Sequence, residues 1–260
     1  MGSWISSNPN MTGAAPTNPL RTLLSRKRAA ALAGAVLVAC AATATRGEAA
    51  VDVSSFAVTP STAAAGGHPN LTIAVGFAEP ASGVKDIALH LPAGLTANPS
   101  AFAYCSRGDL IRYSCPSKSR LGSLSVVAVA YGLELPFSAT LYNMRPGPAE
   151  RVRIGVPIPG PDQIFAVELP IKERPADKGL DFTITGLPQN VAGVTVRVSE
   201  LKIWLKGTVR RKVRKRWRRR AFLTNPSTCA PAASSLELTS YDPPGAVITT
   251  TSSFTPTGCR

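Results

Sequence analysis

Arg210, Arg211, Lys212, Arg214, Lys215, Arg216, Arg218, Arg219 and Arg220 put nine of the chain's 29 basic residues into the twelve positions 209–220. Trp217 stands between two basic triplets. Guanidinium groups bind phosphate bidentately, and counterion release makes multivalent contacts of this kind strong at low salt. The chemistry on offer at these ten residues is polyanion binding.

Three conformations fit the run. Val209, Val213, Trp217 and Ala221 recur every four residues, so a helix would gather them into one apolar stripe suited to an anionic membrane surface. An extended ribbon would also put them on one face, mixed with Arg211, Lys215 and Arg219. Self-repulsion among nine cations opposes both ordered forms in isolation, which leaves a solvated hairpin tip that does nothing further.

Of the formal net charge of +14, the first fifty residues carry +4 and the run carries +9, so only about +1 belongs to the remaining body. A nucleic-acid-binding domain spreads its cations over a face of the fold, which this body does not do.

Cys105, Cys115, Cys229 and Cys259 form the second chemical group. Their even number suits disulfide pairing in an oxidising compartment. Pairing nearest neighbours, Cys105 with Cys115 and Cys229 with Cys259, closes the smallest loops. A zinc site is the competing use, but the spacings lack paired C-x2-4-C knuckles and no histidine lies near.

Export is the expectation from the N-terminus. Arg26, Lys27 and Arg28 precede an apolar stretch, 29–39, too short for a permanent span. Small-residue cleavage sites follow at Ala42-Thr43-Ala44 and at Gly47-Glu48-Ala49 or Ala50, the pattern of a secretory signal peptide. Leu37-Val38-Ala39-Cys40 also reads as a lipobox, in which Cys40 is acylated and tethers the mature protein to the outer membrane face. A start at Met11 would give a leader of more ordinary length. Residues 1–50 are therefore an extension and leader, and 51–260 the domain.

No catalytic pattern stands out. G-x-S-x-G, H-E-x-x-H and P-loop motifs are missing from the sequence. His68 lies in a turn and His90 on the wetter face of a strand, both read as surface histidines. Glu168, Glu173, Asp177 and Asp181 crowd a Pro-rich connection beside Lys172, Arg174 and Lys178, which reads as a solvated loop of mixed charge. No cofactor and no small-molecule substrate is indicated. A secreted hydrolase with carboxylates far apart in sequence is the alternative, and a polyanion or nucleic-acid binder a further one.

The elements that must position these groups are strands. Pro (23) and Gly (21) punctuate β-rich runs that recur every ten to fifteen residues from residue 51. Ile87, Leu89 and Leu91 alternate with Asp86, Ala88 and His90, so each strand has one wet and one dry face. The expected fold is all-β: an antiparallel sandwich of about ten strands, with a short helix within 99–110 and Trp204 in the core.

Leu91-Pro92-Ala93-Gly94-Leu95-Thr96-Ala97-Asn98-Pro99, Cys105, Cys115-Pro116-Ser117, Leu141-Tyr142-Asn143, Phe222-Leu223-Thr224-Asn225-Pro226-Ser227-Thr228-Cys229 and Thr257-Gly258-Cys259 follow in that order. This succession resembles a module of large, uncharacterised secreted proteins of actinobacteria. The resemblance implies an extracytoplasmic β domain and assigns it no activity. Where the module has a polar or Pro-rich connection between Trp204 and Phe222, this chain has the cationic run. Outside a bacterial cell, the phosphate polyanions within reach are lipid headgroups and wall polymers, so the expected function is a non-catalytic envelope module whose arm contacts them.

Overall fold

Leu71, Ile73, Val75 and Phe77 repeat at the two-residue strand period, which puts four apolar side chains on one face. The computed structural model describes residues 51–81, 83–159, 164–187, 190–191, 194–213, 216–241 and 244–259, which belong to one compact unit. Residues 1–50, with Cys40, and Arg214 and Lys215 of the basic run lie outside the described residues.

Eleven strands form the main sheet: β1 (Val53–Pro60), β2 (Leu71–Ala81), β3 (Val84–His90), β5 (Arg120–Ala130), β6 (Leu133–Met144), β7 (Val152–Pro159), β8 (Ile164–Glu173), β9 (Leu180–Ile184), β12 (Arg197–Leu205), β16 (Ala232–Ser240) and β17 (Val247–Phe254). Three two-stranded ribbons complete the strands. They pair β4 (Thr96–Ala97) with β15 (Leu223–Thr224), β10 (Asn190–Val191) with β11 (Val194–Thr195), and β13 (Thr208–Val213) with β14 (Arg216–Ala221).

The order across the main sheet is β1-β2-β12-β5-β6-β7-β8-β9-β3-β16-β17, every neighbour antiparallel. The edge strands β1 and β17 come side by side, where the Val58 amide donates to Ser252 Oγ (3.0 Å), so the sheet is nearly closed. The antiparallel β class, the short helix and the two bridges are as the sequence predicts. One continuous curled sheet buries its dry face all round, in the way two stacked sheets would bury theirs between them.

The largest cluster on the inner face holds Leu71, Leu121, Leu141, Val152, Leu180 and Phe222, almost fully buried, and a second gathers Val75, Leu236 and Leu238. Alternation sends Ile203 and Leu205 inward, so Trp204 stands half-buried on the outer face opposite Thr72 and Ser123, not in the core.

Strand directions sort the connections into two ends. One end carries the helical segment, both disulfides and the β13–β14 ribbon; the other carries the hairpins after β5, β7 and β16. The expected helix divides into a 3-10 turn, Pro99–Ala101, capped by Asn98, and α1 (Arg107–Ile111), capped by Ser106. Asn143 is buried in β6, and its amide nitrogen donates to the carbonyls of Pro99 (3.0 Å) and Ala103 (3.2 Å), which ties this segment to the sheet.

Cys105–Cys115 brackets α1 with Cα atoms 5.2 Å apart, and Cys229–Cys259 joins the approach to β16 to the segment after β17 at 5.8 Å. The bridges use all four thiols, which removes the zinc alternative. They are what an oxidising, extracytoplasmic compartment permits. Among the described residues no helix is long and apolar enough to cross a membrane.

Candidate functional site

The basic run is a two-stranded ribbon rooted in the body. At its base Gly207 packs so closely on the 68–69 segment that a Cβ would collide with the Pro69 carbonyl oxygen. The Gly207 amide donates to Asn70 Oδ1 (2.9 Å), and its carbonyl accepts from the amides of Phe222 (2.8 Å) and Leu223 (3.2 Å). Phe222 is buried edge-on against Phe102, with ring centroids 5.4 Å apart. Leu223 pairs with Ala97, and buried Asn225 donates to the carbonyls of Thr62 (2.8 Å) and Ala64 (3.1 Å). Phe222, Leu223 and Asn225 thus anchor the ribbon.

Register fixes which cations meet. Val209 pairs with Arg220, Arg210 with Arg219, Arg211 with Arg218, Lys212 with Trp217 and Val213 with Arg216. The run is an extended, solvent-exposed hairpin and not a helix, and the apolar face expected of a ribbon is broken. Two residues separate Val213 from Arg216, so the turn shifts the alternation and Trp217 joins the face of Arg210, Lys212 and Arg219. Val209 lies on the opposite face with Arg211, Arg216, Arg218 and Arg220. It packs on the core, while Trp217 is 64% exposed.

Electrostatically the ribbon and the body contrast. None of Arg210, Arg211, Lys212, Arg216, Arg218, Arg219 and Arg220 meets a carboxylate among the described residues; Arg211 Nη1 donates only to the Ser100 carbonyl (3.3 Å). Like charges directly opposite on a ladder repel, so the folded root holds a charge density that the isolated segment would not hold.

Two recesses flank the ribbon. One, of about 180 Å³, is lined by Ala101, Ala103, Lys118, Val209, Arg210, Arg211, Lys212 and Trp217. The other, of about 410 Å³, is lined by Ser61, His68, Asn70, Thr208, Arg219 and Ala221. Lys118 was not legible as a site residue, because roughly ninety positions separate it from the run and only the 3-10 turn Ser117–Ser119 brings it there.

The acidic residues behave otherwise than a solvated loop. Glu168 and Glu173 lie in β8 and Asp181 in β9, leaving only Asp177 in the connection. Glu168 accepts from Arg107 (2.6 Å) and Arg153 (2.9 Å), and Glu173 pairs with Arg151 (3.3 Å) and Lys178 (3.6 Å). Arg174 donates to Asp177 (2.9 Å), to Asp181 and to the Leu91 carbonyl (2.8 Å). Its side-chain bond to Asp177 is the main cause that raises the Arg174 pKa and lowers that of Asp177. Arg153 is likewise raised, chiefly by Glu150.

His90 is half-buried and hydrogen-bonds Asp181 (2.9 Å), so it belongs to the Arg174 cluster and is not a free surface histidine. His68 is exposed and contacts the Leu223 carbonyl and the Thr224 hydroxyl, each at 3.2 Å. Among the described residues neither ring hydrogen-bonds a serine.

Fold and site together define a disulfide-braced antiparallel β domain that carries an exposed cationic ribbon. No family model, curated protein or solved structure matches the chain.

Proposed function

We propose that the chain is an exported cell-envelope module without catalytic activity, and that its ribbon binds phosphate-bearing polyanions of the envelope. The observation that carries this reading is the concentration of seven described cations, none on a carboxylate, in one ribbon, beside a body in which, among the described residues, Arg107, Arg112, Arg151, Arg153 and Arg174 meet carboxylates and only Arg120, Arg145 and Arg197 do not. A guanidinium kept for structure pairs within the fold, whereas one kept for a partner stays open. Two Arg-bearing faces and two flanking recesses suit a flexible polymer or a headgroup layer better than a single small anion.

The likeness to secreted actinobacterial modules supports the extracytoplasmic setting, as do the leader at 26–50 and the bridges. Signal-peptide cleavage near Ala44 or Ala50 frees the domain, while acylation of Cys40 tethers it; the mass of the mature N-terminus separates the two. Design for nucleic acid is disfavoured by the near-neutral body and by export.

The test is sedimentation with vesicles and retention on polyphosphate. The full chain is expected to pellet with phosphatidylglycerol vesicles, or to be retained on polyphosphate, at low salt, and to be released as salt rises. Phosphatidylcholine vesicles leave it in solution. Failure to bind either anionic partner at low salt overturns the reading.

A further inference from the structure

The interior of the curled sheet is incompletely filled. A cavity of about 130 Å³ lies inside it, lined by eighteen residues that are all Ile, Leu, Val or Phe. Nine of the eleven strands contribute, only the edge strands β1 and β17 being left out; Leu89, Leu124, Leu141, Ile154, Leu169 and Ile203 are representative. An engineered cavity of about 150 Å³ with the same kind of lining stays dry and admits benzene.

The apolar wall continues past the cavity. Ala139 pairs with the lining residue Leu124, and four and six rungs further Leu135 and Leu133 pair with Ala128 and Ala130 at the same inward phase. Phe165 stands at the same phase as Leu169 in β8. These three side chains are 50%, 66% and 48% exposed at the end of the sheet away from the ribbon. The inward row of β6 thus runs from the lumen to exposed apolar side chains at this end of the sheet, and the inward row of β8 does the same.

We infer that this lumen takes the terminal segment of the hydrocarbon chain of a lipid, the rest of the chain lying along the exposed apolar row of Leu133, Leu135 and Phe165. The lining excludes other classes. Among the described residues no polar side chain lines the cavity. A peptide, sugar or nucleotide would bury hydrogen-bonding groups with nothing to meet them, at a cost of several kcal/mol for each. A methylene chain buries none, and every methylene it inserts is favourable. The exposed apolar row lies at the end of the sheet away from the ribbon, and the inference does not rest on the polyanion reading.

The experiment titrates the full chain with N-phenyl-1-naphthylamine, an uncharged fluorescent probe, in 1 M salt so that the ribbon is screened. Saturable binding of one probe per chain, displaced by palmitate or by a phospholipid, is expected. Palmitate alone displacing it assigns a free chain; the phospholipid displacing it assigns a membrane lipid. Leu124→Trp fills the lumen and is expected to weaken the probe by about tenfold or more, since tenfold corresponds to the loss of only about two buried methylenes. Should that variant fail to fold, Leu135→Asp in the exposed row is expected to weaken binding several-fold with unchanged thermal unfolding. The inference is overturned by absence of saturable binding, by displacement with neither lipid, or by undiminished affinity in whichever of the two variants folds.

Discussion

Arg211 stands directly across the ribbon from Arg218, as Arg210 does from Arg219, so two successive rungs of the ladder set guanidinium against guanidinium. Such pairs disfavour the ribbon on their own account. What offsets them is at the base, where Gly207, Phe222 and Asn225 fasten both strands to the body. The ribbon is therefore braced against its own charge.

Arg218→Glu replaces one repulsive rung with an attractive one. Thermal unfolding is expected to be unchanged or slightly raised, while the salt dependence of polyphosphate binding falls by about two charges, one removed and one opposed. A loss of stability would mean that Arg218 makes a structural contact absent from this account.

Gly207→Ala attacks the root and leaves every cation in place. The added methyl meets the Pro69 carbonyl and should cost about 2 kcal/mol or more, read as a lower urea midpoint. Polyanion affinity below the transition should change far less than stability does.

Much of the fold could be read from the sequence because alternation is a local property. The runs at Leu71, Val84, Val152, Ile164 and Val247 begin β2, β3, β7, β8 and β17. The edge strand β1, reading VSSFAVTP, alternates too weakly to declare itself. Whether dry faces close into one curled sheet or stack as two depends on long-range insertions, β12 between β2 and β5 and β16 beside β3, which no local period encodes. Site residues divided in the same way. The cations were plain as a run, but the face of Trp217 depended on the length of the turn, and His90 with Asp181 depended on pairing across ninety residues.

Both bridges should be quantitative in protein kept from reductant, with no free thiol among Cys105, Cys115, Cys229 and Cys259 by mass under denaturing, non-reducing conditions. Replacing Cys229 and Cys259 together by Ser opens the larger loop and is expected to cost about 4 kcal/mol, against about 3 for Cys105 with Cys115. Reversal of that order would show that strain or residual unfolded structure governs instead.

Acid should destabilise the domain. The Arg153 side-chain bond lowers the Glu150 pKa, Ser106 and then Arg112 lower that of Asp109, and Arg174 lowers that of Asp177. A depressed folded pKa contributes stability above the unfolded value, about 4, and that contribution is lost as pH falls through the folded value. The urea midpoint should therefore stay level from pH 7 to about 5 and drop below about 4. Glu150→Gln with Asp177→Asn should start lower at pH 7 and drop less.

The central claim is that the ribbon is the polyanion-binding surface. It is tested most directly by salt elution from immobilised polyphosphate, comparing the full chain with a variant in which Arg210, Arg211, Lys212, Arg214, Lys215, Arg216, Arg218, Arg219 and Arg220 are all replaced by Ser. The account expects the variant to pass through unretained at low salt with its thermal unfolding almost unchanged. Elution of the variant at the same salt as the parent chain would contradict it.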